Sequence, residues 1–291
     1  MANNEQRRKD ALRGLQRELA RRERAEKLKP LGVVLTTLLI LVGIGGGIYL
    51  LTTADGSADE TRAEEAMASD TVEPAALVAT PVSGTALPMT RSSQLPATVS
   101  CSYEADGEAA KPLDEPRTTA VPARGTVTIT LNTSLGEIPM ELDRSLSPCA
   151  VNAIETMAKS NYFNDTVCHR ITGGRLNVLQ CGDPTGTGTG GPGFKFAGEW
   201  PVDNSELDQN TPMVYPKGSI AMANPSDPDA NGSQFFLNWA DSELPPQYTI
   251  LGSMTDEGTA TVADIATNGI EGGLSDGSPA KEVRILTATV S

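Results

Sequence analysis

Two segments of this chain, placed about fifty residues apart, contain the side chains that could do chemistry. The first, residues 169–183, carries the cation Arg170 and the amide Gln180, and the second, residues 222–236, ends in the aromatic Phe236. Neither segment offers a nucleophile activated by a histidine and a carboxylate. A guanidinium stays charged at physiological pH and donates hydrogen bonds from a rigid fork. The two segments therefore predict non-covalent chemistry, with a fixed cation acting beside an apolar slot.

The single histidine, His169, invites a catalytic role that its sequence context does not support. No nucleophile or carboxylate motif accompanies it, so we expect a structural hydrogen bond beside the pocket. A hydrolase is excluded on the same ground, because no triad or metal set can be built around one histidine. Gly186, Gly188 and Gly191 match the G-x-G-x-x-G spacing, but Pro192 follows at once and no helix begins there. A nucleotide site is therefore excluded.

Short strands are the main elements that the sequence predicts around these residues. Residues 127–131 and 138–142 alternate apolar with polar side chains on either side of a turn at 134–136, which indicates an antiparallel hairpin. A further alternating strand is predicted at 283–290. Many short strands accompanied by two helices favour a mainly β domain built as a closed barrel.

Two helices are predicted within this β-rich domain. Ser147 followed by Pro148 is typical of an N-cap and a first helical residue, and apolar side chains then recur at helical spacing. The second helix is predicted near residues 261–268, where Gly269 ends it.

The first 54 residues predict a membrane anchor. Residues 1–30 hold 10 Lys and Arg against 5 Asp and Glu, while the whole chain has a net charge of −14. Residues 31–54 contain no charge, and at about 1.5 Å per residue they could cross roughly 30 Å of hydrocarbon. Basic flanks stay inside, so residues 1–30 are predicted to be a cytoplasmic head of a single-pass cell-membrane protein whose bulk lies outside. The head alternates Arg and Glu without aromatic residues, which excludes a nucleic-acid partner.

Residues 55–123 predict an extracytoplasmic stalk, because they are rich in Ala, Thr, Pro and Glu and show no sustained period. The four cysteines all follow the predicted anchor, and their even number is typical of an oxidising compartment. Their spacing matches no zinc motif, so no metal is expected. Three pairings are open, and we favour Cys168 with Cys181, which flank a strand-loop-strand segment, leaving Cys101 with Cys149.

A series of separated motifs resembles the cyclophilins over about residues 124–291. The motifs are, in order, His169-Arg170, Val178-Leu179-Gln180-Cys181-Gly182-Asp183, Met222-Ala223-Asn224 and Asn231-Gly232-Ser233-Gln234-Phe235-Phe236. The cysteines and the Gly-Thr-rich loop further resemble the membrane-anchored, exported cyclophilins of bacteria. The resemblance implies a cyclophilin-like closed antiparallel barrel of about eight strands, capped by two α-helices and preceded by a single transmembrane helix.

The resemblance also implies the site residues. The catalytic residues would be Arg170, Gln180 and Phe236, and the substrate-binding residues would be His169, Val178, Ala223, Asn224, Gln234, Leu244 and Tyr248. The chain departs from the family between Arg170 and Gln180, where it is two residues longer. Either Leu176 or Asn177 then takes the place of an aromatic that usually walls the proline pocket.

The implied activity is peptidyl-prolyl cis-trans isomerisation of exported, proline-containing polypeptides, without a cofactor. An alternative is a cyclophilin-like peptide-binding or scaffold module with little turnover, because the loop at residues 175–177 is altered. Retention of Arg170, Gln180, Gln234 and Phe236 favours the enzyme.

Overall fold

Short β-strands and two α-helices alternate along residues 74–291, the range that the computed structural model describes. The strands are β1 (Thr98–Val99), β2 (Glu104–Ala105), β3 (Val121–Pro122), β4 (Thr126–Thr133), β5 (Gly136–Asp143), β6 (Thr166–Val167), β7 (Arg170–Thr172), β8 (Val178–Cys181), β9 (Phe194–Lys195), β10 (Met213–Tyr215), β11 (Ser219–Met222), β12 (Phe235–Asn238), β13 (Ser242–Leu244), β14 (Ile250–Met254), β15 (Asp276–Gly277) and β16 (Arg284–Val290). The helices are α1 (Pro148–Lys159) and α2 (Asp256–Thr267), and a 3-10 turn follows at Glu271–Gly273. The described part is thus mainly β with two helices, as the sequence predicts.

The predicted hairpin is confirmed. Strands β4 and β5 pair without interruption from Thr126 opposite Asp143 to Thr133 opposite Gly136. Val127, Ile129 and Leu131 on β4 are buried, and the residues between them are more exposed. The alternation therefore points one face of the hairpin into the core.

The main sheet differs from the predicted barrel. It has ten strands in the order β15-β7-β8-β12-β11-β14-β5-β4-β16-β6, so it is not a closed ring of about eight. Strand β6 forms one edge and β7 lies next to the other edge, yet only Cys168 and His169 separate these two strands in sequence. The sheet must therefore curl until its two ends nearly meet. Cys168 and His169 connect β6 at one end of the sheet to β7 near the other end. The two edge strands, β6 and β15, have only two residues each.

Both helices pack an apolar face on this sheet. Helix α1 begins at Pro148 as predicted, but the side chain of Ser147 makes no capping hydrogen bond. Helix α2 begins five residues earlier than the predicted position near 261, because Thr255 caps it by accepting a hydrogen bond from the Gly258 N–H. Asn268 ends it, and Gly269 follows with a positive φ of 76°.

Residues 55–123 stay a predicted stalk, and the portion that the structure describes, from residue 74, is packed against the rest of the domain. Residues 74–123, here called the arm, belong to the same compact unit as the ten-stranded sheet. The backbone of Thr80 bonds Gly174 and that of Leu87 bonds Val214, while Leu87 is only 2% exposed. The Trp200 indole donates to the Pro88 carbonyl at 2.9 Å. Backbone hydrogen bonds hold the arm in place. Because residues of any type can make such bonds, they produce no periodic pattern of apolar side chains in the sequence.

Two disulfides join the four cysteines in the favoured pairing. Cys101 pairs with Cys149 and ties the arm to the first turn of α1, and Cys168 pairs with Cys181 between the beginning of β7 and the end of β8. The predicted basic head at 1–30, the predicted span at 31–54 and the rest of the predicted stalk at 55–73 lie outside the described residues. Within residues 74–291, no helix has both the length and the apolar character needed to cross a bilayer.

Candidate active site

Strand register brings the three predicted catalytic residues into one row. Arg170 on β7 lies opposite Gln180 on β8, and Gln180 lies opposite Phe236 on β12. Phe236 in turn lies opposite Ala221 on β11. Directly paired residues of antiparallel strands project from the same face, so a cation, an amide and an aromatic ring become neighbours there.

The neighbouring residue Phe235 projects from the other face. Its ring lies 5.7 Å from that of Phe163 in an edge-on contact within the main core. Phe236 belongs instead to a second apolar cluster, together with Tyr215 and Leu87 of the arm. The strand alternation thus assigns Phe235 to stability and Phe236 to the outer surface of the sheet.

A pocket of about 160 Å³ opens at this row. Its lining residues are Arg170, Leu176, Val178, Gln180, Ala223, Asn224, Phe236, Leu244 and Tyr248. Eight of these nine were predicted as site residues, and Leu176 completes the wall. The structure therefore brings together most of the side chains that the resemblance implied.

The apolar part of the pocket is built from packed aromatic rings. The Phe236 and Tyr248 rings meet edge to face with centroids 5.6 Å apart. Behind them Tyr215 is fully buried, and its hydroxyl lies 3.1 Å from the Tyr248 carbonyl oxygen, to which it donates. Burial raises the pKa of Tyr215 well above its usual range, so this hydroxyl stays protonated. The sequence did not mark Tyr215 as a supporting residue, since it contacts Phe236 on β12 and Tyr248 in the segment before β14, both distant in sequence.

Leu176 and Asn177, the two candidates for the pocket wall, lie in different surroundings. Leu176 lines the pocket. Asn177 is fully buried, donates to the Asp241 carbonyl at 2.7 Å and does not line the pocket. The side chain that lines the pocket at this point is therefore aliphatic.

A chain of amide hydrogen bonds runs from the cation to a loop. Arg170 Nη1 donates to Gln180 Oε1 at 3.1 Å, and Gln180 Nε2 donates to Gln234 Oε1 at 2.9 Å. Gln234 Nε2 then donates to the carbonyls of Gly188 and Gly190. Because each amide oxygen accepts from the residue before it, the guanidinium fixes the orientation of both glutamines.

The sequence missed an acidic partner of Arg170. The Asp276 carboxylate accepts from Arg170 Nε and Nη2, both at 2.7 Å. This hydrogen-bonded pair raises the pKa of Arg170 and lowers that of Asp276, so both groups are ionised. Asp276 follows Arg170 by 106 residues and belongs to no recognised motif, so only the pairing of β15 with β7 could reveal it.

The Gly-Thr-rich loop is organised by one buried carboxylate. Asp183 is fully buried and accepts from the Thr185 hydroxyl and from the backbone N–H groups of Thr185, Thr187 and Gly188. Burial opposes ionisation of Asp183, but these hydrogen bonds outweigh it and lower its pKa. Residues 188–191 of this loop line the larger groove beside the pocket.

A larger groove of about 610 Å³ adjoins the pocket. Gln180, Ala223 and Asn224 line both, and Gln234 lines the groove alone. Residues 106–108 of the arm form part of its wall. A hydrogen bond from the Asp106 N–H to the Gly193 carbonyl holds this part of the arm in place. An extended peptide could therefore place one ring in the pocket and continue along the groove.

His169 does not line the pocket. It lies beside Gly188, where a Cβ would come within 3.4 Å of its Nε2. Its Nδ1 is buried and has no hydrogen-bond partner within residues 74–291, so the expected structural hydrogen bond is not formed there. Burial lowers the pKa of His169, which favours the neutral ring. Its substrate-binding role stays a prediction.

Comparison with known proteins agrees with this geometry. A family model described as "Cyclophilin type peptidyl-prolyl cis-trans isomerase/CLD" matches residues 126–290, more than half of the chain. The chain is 46% identical over 193 residues to "Probable peptidyl-prolyl cis-trans isomerase B" of Mycobacterium leprae, covering 64% of this chain and 65% of the relative.

Two further relatives give the same result. Identity is 44% over 193 residues to the protein of the same description in Mycobacterium tuberculosis, covering 64% of this chain and 62% of the relative. It is 33% over 181 residues to "Probable peptidyl-prolyl cis-trans isomerase A" of Mycobacterium leprae, covering 56% of this chain and 92% of the relative. The chain thus spans slightly less than two thirds of the two isomerase B relatives.

Proposed function

The chain belongs to the cyclophilin-type peptidyl-prolyl cis-trans isomerase family, and we propose that it catalyses cis-trans isomerisation of prolyl peptide bonds. The single observation that carries this proposal is the row formed by Arg170, Gln180 and Phe236 across three paired strands, beside a pocket with an apolar wall. The row supplies a cation and an aromatic surface at neighbouring positions, as a twisted prolyl amide requires.

The barrier that the site must lower is electronic. Resonance gives the C–N bond partial double-bond character, and rotation costs about 18–20 kcal/mol. At the twisted geometry the prolyl nitrogen becomes pyramidal and regains a lone pair. A guanidinium N–H of Arg170 can donate a hydrogen bond to this lone pair, which is not available in the planar amide. The site therefore binds the twisted transition state more strongly than the planar ground state, and this lowers the barrier.

The other pocket residues hold the peptide while the bond turns. Phe236 and Tyr248 present apolar rings to the proline, and Val178, Leu176 and Leu244 complete the apolar wall. The Gln180 amide keeps the guanidinium in place. No group has to gain or lose a proton in this scheme. The rate should therefore change with pH only as far as the fraction of folded protein changes.

The test is an isomerisation assay on a short X-Pro peptide with the full chain, its Arg170→Ala variant and Arg284→Ala as a matched control. Arg284 also forms exposed ion pairs, with Asp165 and Glu282, but it does not line the pocket. We expect Arg170→Ala to lose at least tenfold in kcat/KM, about 1.4 kcal/mol of barrier, and Arg284→Ala to keep the parent rate.

The alternative is a peptide-binding module with little turnover. It is supported if the parent and the Arg170→Ala variant show equally negligible rates while the parent still binds the peptide. Circular dichroism of each variant shows whether it is folded, so a lost rate can be assigned to the site.

We further propose that the enzyme is a single-pass membrane protein that acts on exported polypeptides. The uncharged segment 31–54 after a basic head supports a cytoplasmic N-terminus, and two disulfides support an extracytoplasmic catalytic domain. Protease added to cells with a permeable envelope but an intact membrane should then cleave residues 74–291 and spare a tag before residue 1. Protection of the catalytic domain would contradict this topology.

A further inference from the structure

We propose that Asp276 is a positioning residue for isomerisation, which holds the guanidinium of Arg170 in the orientation that faces the pocket. The inference rests on the proposed function. It starts from the two hydrogen bonds of 2.7 Å that run in parallel from Nε and Nη2 to the two oxygens of one carboxylate. A two-point contact of this kind fixes the plane of the fork as well as its place.

Three of the five guanidinium N–H groups are then committed. Two donate to Asp276 and one, on Nη1, donates to Gln180. The remaining N–H groups, one on each Nη, have no acceptor within residues 74–291 and stay available at the pocket that Arg170 lines. Asp276 therefore selects which edge of the fork meets the substrate.

The fold puts Asp276 in place through main-chain pairing, independently of the ion pair. Strand β15 pairs with β7 through Asp276 opposite Thr172 and Gly277 opposite Ile171. The backbone of Gly173 also bonds that of Ser275 at 2.9 Å. A change confined to the carboxylate should thus leave the edge strand where it is.

A purely structural role fits the exposure of this pair poorly. The side chain of Asp276 is 54% exposed and that of Arg170 is 36% exposed. Ion pairs at such positions contribute little to folding because water screens them and the side chains lose rotamer freedom. The value of the pair lies instead in ordering a long side chain that would otherwise sample many rotamers above the pocket.

Loss of the carboxylate would be transmitted along the amide chain. Gln180 accepts from Arg170, and Gln234 accepts from Gln180. When the guanidinium rotates away, Gln180 Oε1 loses its donor, and both amides become free to turn. A reaction that depends on one aimed N–H then slows, while the apolar pocket still binds proline.

The experiment compares the full-length Asp276→Asn, Asp276→Glu and Asp165→Asn variants with the parent. Asp276→Asn keeps the size of the side chain but turns an amide N–H₂ toward a guanidinium donor. Asp165→Asn is the matched control, because Asp165 also accepts from an arginine, at 2.9 Å from Arg284, and does not line the pocket. Asparagine suits the positive φ of 53° at this control position.

We expect Asp276→Asn to lower kcat at least fivefold with KM changed less than twofold. Asp276→Glu should retain at least half of the parent kcat, and Asp165→Asn should retain all of it. In NMR spectra the side-chain Hε–Nε signal of Arg170 should be sharp in the parent and broadened or shifted in Asp276→Asn. The unfolding midpoints should agree among all variants.

The outcomes separate this inference from the function on which it rests. If the parent is active and Arg170→Ala is not, while Asp276→Asn has the parent kcat and an unchanged Arg170 signal, Asp276 has no positioning role. If the parent itself shows no turnover, the proposed function fails. In that case the Arg170 signal of Asp276→Asn still reports whether the carboxylate holds the guanidinium.

Discussion

A single cation can serve this site because its neighbours determine where it points. Arg170 is held by Asp276 on one side and by Gln180 on the other, and the strand register puts Phe236 two positions along the same row. None of these contacts requires a proton transfer. The proposed chemistry would therefore depend on how precisely the sheet places these side chains.

The adjacent phenylalanines offer a test of pocket against core. We predict that Phe236→Leu lowers kcat/KM about two- to twelvefold, because the loss of an edge-to-face ring contact is worth about 0.5–1.5 kcal/mol. Phe235→Leu should keep kcat/KM within twofold but lower the free energy of unfolding by about 1 kcal/mol, since its ring packs on Phe163. Peptide isomerisation and urea unfolding measure the two effects. A larger kinetic loss in Phe235→Leu would reverse the assignment of the two faces.

At the scale of single residues, the sequence predicted the site residues that lie in motifs and missed the supporting residues that lie outside them. Arg170, Gln180 and Phe236 lie in local patterns with recognisable order, and the structure brings them together. Asp276 and Tyr215 act through contacts that span 106 and 33 residues. No local pattern encodes such a pair, so it becomes visible only when the register of the strands is known.

At the scale of elements, helix α1 shows how a cap can come from a distant loop. The sequence predicts Ser147 as the N-cap, but its side chain makes no such bond. The Glu199 carboxylate caps the helix instead, accepting from the Ala150 N–H at 2.8 Å and from the Cys149 N–H at 3.2 Å. A carboxylate suits the positive end of a helix dipole, so it replaces the local cap.

This cap should give the protein a pH-dependent stability. Burial raises the pKa of Glu199 from 4.5 to about 7, against the lowering effect of the Ala150 and Cys149 N–H groups. Between these values the folded state holds the proton more tightly than the unfolded chain does. The free energy of unfolding should therefore fall as pH rises from 4.5 to about 7, by at most about 1.4 kcal/mol per pH unit.

The Glu199→Gln variant isolates that contribution, because glutamine does not titrate. Urea unfolding of the parent and the variant across pH 4–8 should give a difference in unfolding free energy that changes between the two pKa values and is level beyond them. Two parallel curves would show that Glu199 has an ordinary pKa in the folded state.

At the scale of the whole molecule, the arm and the ten-stranded sheet belong to one folded unit. The sequence predicted the β-rich class and the hairpin, because alternation within a strand is a local signal. It did not predict that the sheet has ten strands, and it predicted the packing of residues 74–123 only through the Cys101–Cys149 disulfide. The number of strands depends on the two-residue edge strands β6 and β15, and the packing of the arm depends on pairs such as β2 with β9. Strands of two residues are too short to show any period.

The arm also supports the pocket, so the folded unit should not tolerate a boundary at residue 124. A chain of residues 124–291 carrying Cys149→Ser loses the apolar cover of the arm, including the buried Leu87, whose burial is worth about 2 kcal/mol. We expect this chain to have a lower urea midpoint and a lower isomerisation rate than the full chain. Residues 74–291 should match the full chain in both measurements. Equal stability of both truncations would mean that the arm contributes nothing to the stability of the sheet.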